Sequence, residues 1–155
     1  MDWVPPLINL GSGIVVAVVT SLLTVRLALK RFYSEKWWER TSAAYGGIIE
    51  ALHHVREHAH TNLVFSVRGK DLPPEGDKLL TQKLQEAMAD LRKHRDIGSF
   101  VISEEALALL NQLFSELDAS TQTQQWQQHL ELKLAAVDKC LAEMRRIARQ
   151  DLSLR

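Results

Sequence analysis

The chain is 155 residues long, enough for one compact domain with a real core, and that length does not favour two. Lys plus Arg and Asp plus Glu each total 19, so there is no global basic field to attract nucleic acid, and neutrality disfavours a dedicated DNA or RNA binder. The single cysteine, Cys140, excludes an intrachain disulfide and a cysteine metal cluster.

From Trp3 to Val25 no side chain is charged, and Leu7 to Val25 is almost wholly apolar. A helix from roughly Trp3 to Leu29, rising about 1.5 Å per residue, is long enough to cross a hydrocarbon core of ~30 Å. Residues 1–31 are therefore expected to be a transmembrane anchor. A cleaved signal peptide is the main competitor, but it needs a basic leader, and the only charge before the apolar run is Asp2. Arg26, Lys30, Arg31, Lys36 and Arg40 crowd the far flank and nothing basic precedes the run. The positive-inside rule then puts the N-terminus outside and residues 32–155 in the cytoplasm.

Trp3 at one end, with Phe32, Tyr33 and Trp37 beside Arg26, Lys30 and Arg31 at the other, are the expected membrane-interface residues. Of Trp37 and Trp38, one ring is expected at the interface and one in the core of the next helix. At about 100° per residue, Asn9, Gly13, Ala17, Thr20, Ser21 and Thr24 share one side of the span. Small residues let helices approach and Asn, Ser and Thr hydrogen-bond across them, so with one span per chain the partner must be another chain. This side is either a helix-packing face or the lining of a pore, and a pore requires a ring of copies.

After the span, Ser34 is the expected N-cap of a helix to about Ser66, with Trp38, Tyr45, Ile48, Leu52, Val55, Ala59 and Leu63 forming its apolar stripe. Gly46 and Gly47 inside it each cost about 1 kcal/mol against alanine, which points to close helix packing. Residues 68–77 (RGKDLPPEGD) read as a surface connection. The next helix, about Lys78 to Arg95, buries Leu80, Leu84, Ala87, Met88 and Leu91. Ser103 caps a helix to about Asp118, with Glu104 and Glu105 in its first turn and Leu107, Leu110, Phe114 and Leu117 inside. Gln122 to Gln150 forms the last helix, with Trp126, Leu130, Leu134, Val137, Leu141, Met144 and Ala148 at near-heptad spacing. No convincing alternating strand occurs. The fold class is all-α: an N-terminal transmembrane helix followed by a bundle of about four helices.

His53, His54, His58 and His60 lie within two turns of one helix, together with Glu50 and Glu57. Glu50, His54 and His58 recur at spacings of four, which can present side chains to one metal, yet the order that supplies a metalloprotease base is absent. The favoured reading is ordinary surface or interface histidines; in an oligomer His53, His54, Glu57, His58 and His60 could lie in a subunit contact and respond to pH near neutrality. No metal site and no cofactor is expected. No nucleophile elbow, phosphate loop or dinucleotide fingerprint occurs, and Cys140 reads as a packed small residue. Arg145, Arg146 and Arg149 form a basic patch late in the last helix, and favourable placement near its C-terminus is preferred over RNA contact.

The order of span, RFYSEKWWERTSAAYGGIIEALHHV, GSFVISEEALALLNQLFSEL and CLAEMRRIARQDL resembles a group of small bacterial single-span membrane proteins. These are the membrane accessory proteins of type VI-B RNA-targeting CRISPR systems and their stand-alone relatives. The resemblance implies a helical domain related to HEPN nucleases, assembly into a ring, and a pore in the inner membrane that strengthens antiphage defence. The partners it implies are further copies of the chain, the lipid bilayer, and a CRISPR or other defence component. Active HEPN ribonucleases carry an arginine and a histidine at a longer spacing than Arg56 and His60, which have three residues between them. A non-enzymatic effector is therefore expected. The alternatives are a tethered ribonuclease using Arg56 with His58 or His60, and an anchored adaptor without pore activity.

Overall fold

The computed structural model describes the backbone of residues 4–120 and 125–153, and the side chains of those from 20 onward except Ser99. Four α-helices follow one another: α1 Val4–Val67, α2 Pro74–Ile97, α3 Glu104–Ser120 and α4 Trp126–Ser153, with a 3-10 turn at Gly98–Phe100. Among the described residues there is no strand, so the all-α class and the helical bundle hold. The chain divides into two compact units, residues 1–39 and residues 40–155.

The second unit is the bundle. From Arg40 onward α1 contributes Tyr45, Ile48, Leu52, Val55 and Ala59 to its core, the stripe expected from their spacing. α2 adds Ala87 and Leu91, α3 adds Ala106, Leu110, Leu113, Phe114 and Leu117, and α4 adds Val137, Cys140, Leu141, Met144 and Ile147. Periodicity placed α3 slightly off its true inner line: Leu113 is fully buried while Leu107 is only half-buried. At the start of α4, Trp126 is 57% exposed rather than buried, because the heptad line reaches the core only from Leu130.

Helix boundaries follow local chemistry. Proline at the first position of α2, with Glu75 and Asp77 in the first turn, starts that helix four residues before the expected Lys78. Ser103 caps α3 as expected, its hydroxyl accepting a hydrogen bond from the Ala106 N–H at 3.4 Å. Ser34, by contrast, lies inside α1 and caps nothing. No glycine or proline separates Arg26 from Tyr45, so nothing local stops the helix there. The Arg95 guanidinium lies 4.7 Å over the Phe114 ring, tying α2 to α3 by a cation–π contact.

Tyr45 joins α1 to both later segments. Its hydroxyl donates to the Asp151 carboxylate on α4 and accepts from the Ser103 backbone N–H at 3.3 Å. Burial and the neighbouring carboxylate raise its pKa, so the phenol stays protonated and able to donate.

The first unit is helical from Val4. Among the described residues no helix is long and apolar enough to cross a membrane. Most of the run 7–25 read as a span, with Asn9, Gly13 and Ala17 of its polar side, has side chains outside the described residues, and Trp3 lies outside them altogether. From residue 20 to 39 every side chain is exposed, including Leu22, Leu23, Val25, Leu27, Leu29, Phe32, Tyr33, Trp37 and Trp38. Neither tryptophan is a core residue, which corrects the expected division between them.

Candidate functional site

The histidine-rich segment of α1 puts its polar residues in separate environments. Arg56 and His53 face α4, where with Asp138, Leu141, Ala142 and Arg145 they line a shallow cavity of about 400 Å³. The Arg56 Nε donates to the Asp138 carboxylate at 2.6 Å, and both side chains are substantially exposed. The pair neutralises the arginine, leaving Arg145 as the second permanent cation of the cavity.

His58 is half-buried, and its Nδ1 is buried with no hydrogen-bond partner. Burial is the main cause that pulls its pKa down to about 4, assisted by the cation of Lys133 and by His129 and opposed by Asp77. Lys133 is itself pushed below its ordinary value by burial. His58 is thus a neutral imidazole at pH 7, poorly suited to binding a phosphate by charge. His129, on the same side of α4, contacts the Ser120 carbonyl through Nδ1 at 2.8 Å and stacks on Trp126 at 5.6 Å between ring centroids.

His54 lies 3.5 Å through Nδ1 from the Glu57 carboxylate, an ion-pair distance without a hydrogen bond. Its ring is 5.7 Å from that of His53, and His53 and His60 are exposed. Among the described residues no group of three or more His, Cys, Asp or Glu is placed to hold a metal ion, so the Glu50, His54, His58 spacing does not converge on one. For the ribonuclease alternative, Arg56 is engaged by Asp138, His58 is turned into a partly buried site, and His60 stands in solvent. They share no common partner in the contacts described.

Cys140 is buried, and burial pushes its thiol up to about 12, so it carries no thiolate chemistry. α4 extends to Ser153, so Arg145, Arg146 and Arg149 lie outside its last turn, and the expected favourable placement at a helix end is corrected. Arg146 instead bridges Glu143 on its own helix and Glu105 on α3.

On the segment read as the polar side of the span, Thr20, Ser21 and Thr24 are exposed. The Thr24 hydroxyl donates to the Thr20 carbonyl at 2.8 Å, so this donor is satisfied within its own helix. Asp138 and Lys133, which set the character of the histidine segment, were not legible as site residues, because their partners are distant in sequence and follow no local pattern.

No family model, no curated protein and no solved structure matches this chain.

Proposed function

We propose that the protein is a non-enzymatic oligomeric membrane effector, anchored by residues 1–31, whose bundles associate in the cytoplasm and gather the spans into a pore or membrane-perturbing patch. The observation that carries this reading is the uncovered apolar surface of residues 20–39. Leu27 and Tyr33 are each 68% exposed, and Leu22, Leu23, Val25, Leu29, Phe32, Trp37 and Trp38 are exposed as well. So many large apolar side chains on one helix are covered by lipid or by other chains, since water penalises each exposed one by about 1.5–3 kcal/mol. The uncharged run before it and the five basic residues at 26–40 support an inner-membrane span with the C-terminal domain cytoplasmic. Kinship with the HEPN-like accessory proteins of RNA-targeting CRISPR systems, and with it a role in antiphage defence, belongs to the same proposal.

The test is extraction of the full chain from bacterial membranes, followed by its mass and its effect on dye-loaded liposomes. A discrete multimer that releases dye is expected. A membrane-bound monomer without leakage supports the adaptor reading instead. Arg56-dependent cleavage of RNA by a clean preparation overturns the non-enzymatic reading.

A further inference from the structure

A second surface of the bundle has a different character from the histidine segment. α1, α2 and the turn after α2 enclose a groove of about 340 Å³, within the size range of small-molecule sites. Its walls are Ala43, Ala44, Ile97 and Ile102, and the polar area within it is small. Gly98 permits this shape, because a Cβ there would stand 2.9 Å from Ile102 Cδ1. Ile97, which lines the groove, is 51% exposed, so part of this apolar surface is uncovered.

The charges of the groove are one-sided. Arg40 and Lys93 line it, neither is ion-paired among the described residues, and no Asp or Glu is part of the lining. His94, also in the lining, is held below its ordinary pKa by burial and is neutral at pH 7. Asp90 acts on His94 from outside the lining, and Asp96 is paired with Arg95. Two unpaired cations beside an apolar trough complement one class of ligand: an apolar chain ending in an anion.

We propose that this groove binds a single-chain anionic amphiphile, a fatty carboxylate, with its acyl chain along Ala43, Ala44 and Ile97 and its head group at Arg40 and Lys93. The groove lies wholly within residues 40–155, so the inference stands apart from the pore reading.

The experiment is photo-crosslinking of the full chain in lipid nanodiscs with a diazirine analogue of dodecanoate, with peptide mapping of the adducts. The matching alcohol and trimethylammonium analogues serve as head-group controls. Adducts within residues 40–47 and 93–102, competed by unlabelled dodecanoate and weaker with both controls, are expected. Arg40→Gln and Lys93→Gln should each lower that yield about tenfold, the size of one charge-assisted hydrogen bond. Ala43→Trp, which fills the trough from an exposed position, should abolish it while circular dichroism stays unchanged. Equal labelling by all three head groups, or adducts confined to residues outside the groove, overturns the proposal. Retention of labelling in a folded Ala43→Trp protein does the same.

Discussion

Gly46 and Gly47 are neighbours on α1 with opposite surroundings. A Cβ added at Gly46 meets nothing within 4 Å, whereas one at Gly47 would stand 2.9 Å from His94 Nε2 on α2. Gly46→Ala should therefore stabilise the bundle by about 0.5–1 kcal/mol, the helix-propensity gain. Gly47→Ala should gain less than Gly46→Ala, because its methyl meets the tip of the half-buried His94 ring, which must swing aside. Urea denaturation of both variants, with His94→Ala in the Gly47→Ala background to relieve the contact, checks the pair. His58 gives a pH dependence whose sign is fixed by its environment. Its pKa is about 4 in the folded chain and 6.5 when unfolded, so the unfolded state binds more protons between those values. The stabilisation is complete above pH 6.5 and is lost as pH falls from there toward 4. Solvent access to the half-buried ring reduces the loss to on the order of 1 kcal/mol. His58→Leu should flatten the stability profile over that window, and an unchanged profile would rule out His58 as its source. Cys140 was legible as a packed residue because burial follows helical periodicity. The lowered pKa of His58 was not, because Lys133 and His129, which add to the effect of burial, act on it from α4, distant in sequence.

At the scale of helices, Tyr45 is the side chain through which α1 meets both the cap of α3 and the last turn of α4. Tyr45→Phe keeps the apolar packing but leaves Asp151 and the Ser103 N–H without this partner. Part-buried polar groups left unsatisfied cost about 1–3 kcal/mol, so thermal unfolding should show a loss in that range. Arg56→Gln breaks an exposed pair and should cost no more than about 1 kcal/mol. The apolar stripes of α1 and α2 and the serine cap of α3 were legible because each follows from spacing or from a capping residue. The uninterrupted course of α1 was missed because Ser34 fits the profile of a cap, and only its helix-forming neighbours reveal that the helix continues through it. Trp126 was misplaced for a related reason: heptad spacing gives the line of a stripe but not where neighbouring helices begin to cover it.

For the whole molecule, the all-helical bundle was legible from period and turn residues, whereas the groove beside Gly98 was not, since two stretches distant in sequence form it. The proposed membrane function turns on the side of the first unit that carries Thr20 and Thr24. The Thr24 donor is already bonded to the Thr20 carbonyl and needs no neighbouring helix, while both hydroxyl oxygens can still accept from water. That chemistry suits a wetted lining. Thr20→Leu with Thr24→Leu replaces it with apolar bulk without shortening the run, and insertion should survive because both changes increase hydrophobicity. If the side lines a pore, dye release from liposomes should fall sharply, because a hydrophobic constriction closes by dewetting. Val18→Leu with Val25→Leu adds similar bulk elsewhere on the circumference and should leave release near that of the parent chain. Equal release by the parent and both double variants would show that Thr20 and Thr24 do not face a pore, leaving the span as an anchor for the bundle.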